Sequence, residues 1–304
     1  MGFGAIGAGI GEGFTAGQTG LGIARQPQVA SQLVKTMLIG QAITETSGIF
    51  ALVIAVLMVT PGLSAGDNVI MSMAAFLGAG ISVGIAGFGV GIGGGFAAGH
   101  SCEGIARRPS TAREVTVTMM IAQAAASAPV VFALVVGFIL LYTPFEGDIA
   151  KAAALLGAGI STGFGAFGSG IGGGLPGGTA CSTVARRQDL RGSVMGTMLI
   201  GQAVTQTSAI FALVVSFLLI FTTGSGGGIV KIAAYLGAGI SMGFGAIGPG
   251  LGTGIPAMSA CTAVRIHERS SSVVTRVMLL GQAVAQSTAI YSLIIALLMI
   301  FVVS

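Results

Sequence analysis

Two glutamates in this 304-residue chain stand where a charge has no ordinary reason to be. Glu45 interrupts an apolar run from Val34 to Thr60, in the segment GQAITETSGIF (40–50), and Glu12 interrupts a glycine-rich run at IGAGIGE (6–12). A carboxylate at the centre of a membrane helix costs about 2.5–3.5 kcal/mol on insertion scales, so such a residue is a functional candidate from the outset. Both lie about equally far from the turn at Pro27 and Gln28. An antiparallel hairpin therefore puts them level, about 20–25 Å from that turn at 1.5 Å per residue. Two carboxylates at one depth in low dielectric cannot both ionise unaided: one holds a proton, or a cation sits between them. The alternative is a protonated pair that only joins two helices, which Ser, Thr or Gln would do at lower cost.

The elements that must position this pair are membrane helices. Apolar residues make up 53% of the chain and charged residues 7%, with no Trp, whereas a water-soluble surface needs about a quarter charged residues. The apolar stretches at 1–23, 30–60, 70–105, 114–143, 150–185, 193–222, 229–264 and 273–303 each exceed the roughly 20 residues that span a bilayer as helix. Eight spans are expected. The start carries neither a charged lead nor a cleavage-site pattern, so the first span is expected to be retained. Arg25, Lys35, Arg107, Arg108, Arg113, Arg186, Arg187, Arg191, Arg265, Arg269 and Arg276 fall at or near the turns after odd-numbered spans. The other connectors hold Asp67, Glu146, Asp148, Lys151 and Lys231. The positive-inside rule then places the arginine turns in the cytoplasm and both termini outside, in a multi-pass protein of the cell membrane. The net charge of +4 is accounted for by topology, with no nucleic-acid or anionic-lipid footprint required.

Shifting the chain on itself by 82, 161 and 241 residues brings four copies of one helical hairpin into register, at 1–62, 70–143, 150–222 and 229–304. FGVGIGG (88–94), FGSGIGG (167–173) and IGPGLGT (247–253) fall on IGAGIGE. AQAAASAPVVFAL (122–134), GQAVTQTSAIFAL (201–213) and GQAVAQSTAIYSL (281–293) fall on GQAITETSGIFAL (40–52). The first helix of each copy carries a glycine ladder that begins Gly7, Gly9, Gly11, Gly13. Residues two apart point roughly 200° apart on a helix, so Gly7 and Gly11 thin one flank while Gly9 and Gly13 thin the opposite one. Helices slimmed on two sides suit a ring of identical neighbours; one close contact in a compact bundle would need only one thin flank. The G-x-G-x-x-G within the ladder has no preceding strand and is not a dinucleotide fingerprint.

A glycine-ladder helix, a turn reading ARQP (24–27) or ARRP (106–109), and a second helix with GQAxxE before an aromatic together resemble the c subunit of F-type rotary ATP synthases. The resemblance covers all four hairpins, although the usual chain of that family is a single hairpin and fused proteolipids are more typical of its V-type relatives. It implies an all-α integral membrane protein that joins copies of itself in a ring. In such a ring a mid-membrane carboxylate carries sodium or a proton past an arginine of the stator a subunit, and the turns dock the central stalk. One-hairpin c subunits are a further partner that the resemblance allows. Residue by residue, Glu45 matches the ion carrier, Glu12 the first-helix ligand of sodium-binding members, Thr46 the hydroxyl after the carboxylate, and Ile43 the position of a liganding carbonyl. Those four would make an all-oxygen site suited to Na+, with H+ as the alternative. Phe50 stands where sodium binders often carry Tyr. Arg25, Gln26 and Pro27 match the stalk-docking turn, as do Arg107, Arg108 and Pro109; the third turn, ARRQ (185–188), and the fourth, VRIH (264–267), depart from it.

Only the first copy carries the charge. At the place of Glu45 stand Ser127, Gln206 and Gln286, and at the place of Glu12 stand Gly94, Gly173 and Thr253. Gln206 and Gln286 have nearly the shape of a protonated glutamate and read as neutral substitutes. Pro129, Pro176, Pro249 and Pro256 interrupt helices of the silent copies only, where kinks are expected. Cys102, Cys181 and Cys261 share one repeat position, opposite Gly20, and read as small packing residues rather than metal ligands. The expectation is a rotor proteolipid without catalytic residues of its own. An ATP-driven V-type-like pump ring is the nearest alternative, and a channel or a structural helical bundle is the alternative from another class.

Overall fold

The computed structural model describes residues 1–60, 68–222 and 228–303; Asp67 lies outside them. Within these the chain is helical: α1 (Gly2–Arg25), α2 (Ala30–Val59), α3 (Val69–Arg107), α4 (Ala112–Ala126), α5 (Ala128–Tyr142), α6 (Ile149–Arg186), α7 (Arg191–Thr205), α8 (Thr207–Phe221), α9 (Gly228–Ile266) and α10 (Ser271–Leu298). Among the described residues, seven hairpin arms are long and apolar enough to cross a membrane. The arm that falls short of the expected eight is α1, where the glycines, Glu12 and a polar turn at Gln18 and Thr19 dilute the apolar residues over 24 positions.

Local chemistry sets the ends. Asn68 caps α3 by accepting the Ile70 N–H, and the Asp148 carboxylate accepts the N–H groups of Ala150 and Lys151 at the start of α6, satisfying donors that a helix start leaves open. At the opposite ends Gln26, Arg108, Arg187 and His267 take nearly one backbone conformation (φ −140, −144, −136 and −144°; ψ 79, 82, 80 and 90°), each followed by a single 3₁₀ turn. A residue before proline is pushed to such extended values, which accounts for Gln26 and Arg108. The third and fourth turns lack the proline and keep the same path, so their departure is chemical rather than conformational.

The glycine-ladder helices α1, α3, α6 and α9 stand side by side in that order, and each second arm lies over its own ladder helix and the next one along. Thus α2 touches α1 and α3, α4 with α5 touches α3 and α6, α7 with α8 touches α6 and α9, and α10 has α9 alone. Backbone-to-backbone approach explains the ladder. A methyl group added at Gly91 would lie 2.5 Å from the Ala8 nitrogen, at Gly170 2.7 Å from the Val90 nitrogen, and at Gly250 2.6 Å from the Ser169 nitrogen. No real side-chain carbon fits there. The two-flank pattern is complete in α3 and α6 and half used at the ends: Gly9 and Gly13 on α1 and Gly248 on α9 face open space.

Two second arms break at the position equivalent to Glu45, at Ser127 between α4 and α5 and at Gln206 between α7 and α8. Pro129, two residues on, accounts for the first break, because it cannot donate to the Ala125 carbonyl. No proline stands near Gln206; the Thr207 hydroxyl there donates to the Val204 carbonyl (2.7 Å), as Ser287 does to Val284 in the unbroken α10, and nothing in the structure explains the second break. The kinks expected at Pro176, Pro249 and Pro256 do not interrupt α6 or α9, since each proline removes a single hydrogen bond from a helix held by packing along its length.

Candidate functional site

Glu12 on α1 and Glu45 on α2 line one cleft of about 230 Å³ at the free edge of the row. Helical spacing puts them there. Ala5, Ala8, Gly9 and Glu12 follow one face of α1, and Glu45, Gly48, Ile49 and Leu52 follow one face of α2, each at steps of three and four. The small residues Ala5, Ala8, Gly9 and Gly48 let the two backbones run close, so the carboxylates share one apolar-walled opening. Glu45 is exposed and Glu12 half-buried. Neither Ile43 nor Thr46 lines this cleft: Thr46 directs its hydroxyl to the Ala42 carbonyl of its own helix (3.3 Å). Phe50 is half-buried against the large apolar core.

The equivalent positions in the other copies give the direction in which this site faces. Gln206 on the third hairpin donates to the Ala125 carbonyl of the second (2.6 Å), the carbonyl that Pro129 leaves without its helical partner. Gln286 on the fourth donates to the Ser208 hydroxyl of the third (3.1 Å). Ser127 is too short to cross and bonds its own helix at Ala124. Where long enough, then, the residue at this position reaches back to the preceding hairpin. Its targets are the carbonyl equivalent to Ile43 and the hydroxyl equivalent to Ser47. The first hairpin has no predecessor within the chain.

A second set of polar residues has no role that the sequence alone assigns. Gln41, Gln123, Gln202 and Gln282 occur in every copy of the GQA or AQA motif, and their presence in four otherwise apolar arms is the available signal. Each amide donates to the ladder helix of its own hairpin, at the carbonyls of Glu12 (3.1 Å), Gly94 (3.1 Å), Gly173 (2.8 Å) and Thr253 (2.9 Å). Gln123, Gln202 and Gln282 also donate to the preceding second arm, at Gly40, Ala122 and Gly201 (each 3.0 Å). Gln41 makes only the first of these bonds. Neighbouring hairpins are thus stitched one turn from the carboxylate position.

At the turns, Arg107 pairs with Glu103 (2.6 Å) and Arg108 donates to the Arg186 carbonyl of the next hairpin (3.1 Å). Arg25 is exposed, and Gln26 and Pro27 complete its turn. Arg187 pairs with Asp189 (2.7 Å). Cys102, Cys181 and Cys261 are free thiols buried in the apolar cluster near these turns.

A family model that describes the c subunit of ATP synthase matches the chain four times, at residues 1–58, 77–140, 156–219 and 236–299. Proteins named as ATP synthase c subunits are similar to parts of it. One from Natranaerobius thermophilus is 53% identical over 53 residues, 17% of this chain and 62% of that protein. One from Petrotoga mobilis is 47% identical over 78 residues, 25% of this chain and 80% of that protein, and one from Thermotoga petrophila is 45% identical over 76 residues, 25% and 89%. Each relative therefore corresponds to about one hairpin of the four.

Proposed function

This chain belongs to the ATP synthase c-subunit family, and we propose from that premise that it is a four-hairpin rotor-ring protein in which Glu45 carries the ion. The observation that carries the reading is the cleft shared by Glu12 and Glu45 at the free edge of the row, against neutral residues at every equivalent position. Two carboxyls in one apolar-walled cleft favour a shared cation or proton, and an all-oxygen environment favours Na+ over softer metals. The back-reaching pattern of Gln206 and Gln286 supports completion of the site by a second copy. In that arrangement the fourth hairpin of one copy precedes the first hairpin of the next. The Val284 carbonyl and the Thr288 hydroxyl, equivalents of Ala125 and Ser208, then face Glu45. By the pattern of its equivalent Ala125, Ile43 would turn its carbonyl toward the second hairpin, so in this reading its liganding role passes to Val284. Thr46, occupied with Ala42, and Phe50, without a hydroxyl, weigh toward a proton as the second reading.

The ring also supports the division of labour at its turns: Arg25, Gln26, Pro27, Arg107, Arg108 and Pro109 meet the central stalk, and the second arms face the stator and lipid. The test uses carbodiimide, which modifies a protonated carboxyl. Wild-type complex is expected to be labelled once per chain, and Glu45→Gln to lose both labelling and ion-coupled ATPase activity. Labelling and coupling that survive in Glu45→Gln would refute the assignment. Millimolar sodium that slows labelling at neutral pH identifies the cargo as Na+, and labelling governed by pH alone identifies it as H+.

A further inference from the structure

A cleft of about 360 Å³ opens between α2 and α4, walled by these two helices alone, and each wall carries one cation: Lys35 and Arg113. Both are exposed. Neither belongs to an ion pair among the described residues. Glu114, beside Arg113 in sequence, is not part of the lining. Across the floor the hydroxyls of Thr36 and Thr116 meet at 3.3 Å.

Depth fixes what these charges can meet. Arg113 is the second residue of α4 and Lys35 the sixth of α2, which puts their backbones about 2 and 8 Å from the turn at 1.5 Å per residue. The lysine stem reaches back toward the membrane surface. Both heads therefore lie at headgroup level, with Ile39 and Val117 beneath them. The pairing occurs at one junction of the three inside the chain. The equivalents of Lys35 are Val117, Gly196 and Arg276, and those of Arg113 are Ser31, Gly192 and Ser272. A general excess of cations near the turns would scatter them singly; two facing each other across one groove repel unless an anion lies between.

We propose that this cleft binds the headgroup of an anionic glycerophospholipid in the leaflet on the side of the arginine-bearing turns. The guanidinium and ammonium groups hold the phosphate, Thr36, Thr116 and Gln32 offer hydrogen bonds to its glycerol oxygens, and an acyl chain runs along Ile39 and Val117. The site rests on the membrane assignment and not on Glu45.

The experiment places the purified complex in nanodiscs of phosphatidylcholine containing a minor fraction of phosphatidylglycerol and counts retained lipids by native mass spectrometry. The double substitution Lys35→Gln, Arg113→Gln is expected to weaken phosphatidylglycerol retention about 30-fold, from the attraction of two surface cations. The charge-keeping pair Lys35→Arg, Arg113→Lys restores it, and Arg276→Gln leaves it unchanged. Unchanged retention in the double variant overturns the proposal, as does equal retention of phosphatidylcholine. Displacement by soluble glycerol phosphate also overturns it, since that marks a free-anion site. If the double variant fails to assemble, Lys35→Gln alone is read in the same way, with about a fivefold loss expected and no loss counting against the site.

Discussion

Replacing Gly9 by alanine adds one methyl group to the free flank of α1, where nothing lies within 4 Å. The isolated chain is expected to fold as before, and slightly more firmly, because alanine in a helix interior is favoured over glycine by about 0.5–1 kcal/mol. The same change at Gly91, Gly170 or Gly250 would drive the methyl to within 2.5, 2.7 and 2.6 Å of a neighbouring backbone nitrogen. If copies join through the flanks left open at Gly9 and Gly248, the Gly9 methyl meets the Pro249 nitrogen of the adjoining copy at a similar distance. That is about 1 Å short of the roughly 3.5 Å at which non-bonded atoms rest, and a mismatch of that size removes the dispersion gain at the contact. Overpacking of this kind costs about 1–3 kcal/mol, or about 5- to 150-fold in association per junction. Blue-native electrophoresis and mass photometry on detergent-purified protein read the outcome. Gly9→Ala is expected to give folded chains with few closed rings, and Gly91→Ala to give a destabilised chain. Rings formed by Gly9→Ala at wild-type yield and detergent resistance would refute the junction, and so would an unfolded Gly9→Ala chain.

Gln123→Ala removes the amide that donates to Gly40, Thr44 and Gly94; at about 0.6–1 kcal/mol for each interhelical bond, it should lower the melting temperature of the isolated chain, and an unchanged melting curve would count against the stitch. Pro129→Ala returns an N–H to the Ala125 carbonyl and so competes with Gln206; hydrogen exchange at residue 129 should show a protected amide, while an unprotected one would mean that the break at Ser127 has another cause. With about 2.3 kcal/mol per ion per 100 mV and one charged site per four hairpins, a ring of this chain alone should pump ions on ATP hydrolysis but make little ATP in liposomes at ordinary potentials. Robust synthesis, with ring composition checked by mass, would sink that expectation.

The hairpins and the level pairing of Glu12 with Glu45 are legible because both follow from counting residues along helices of fixed rise. The ladder is legible for the same reason: glycines two apart must thin opposite flanks, and the close approaches at Gly91, Gly170 and Gly250 fall on the flank that counting assigns to Gly9. What cannot be read is the direction in which one hairpin faces the next. Four similar copies can pack with the carboxylate position reaching forward or back, and the bonds from Gln206 to Ala125 and from Gln286 to Ser208 separate the two. For that reason the family resemblance groups Ile43 and Thr46 with the carboxylates of their own hairpin, whereas the cleft is lined without them. The partners of the GQA glutamines are equally silent, because a buried amide finds partners by geometry rather than by sequence distance. The break at Gln206 has no residue that announces it: Ser287, the equivalent of Thr207, makes the same bond back to Val284 in an unbroken α10.

The covalent joining of the four copies has a consequence for information as well as for packing. Separate charged and neutral hairpins would enter an assembly in random order, and no two assemblies would present the same pattern of sites. Here the order charged, serine, glutamine, glutamine is written into one chain, and the two unlike edges of the row permit only head-to-tail addition. Any closed assembly built of this chain alone is then strictly periodic, with its charges evenly spaced whatever its size. A gene that fuses its repeats thereby fixes a spatial rhythm that no control of subunit ratios could guarantee.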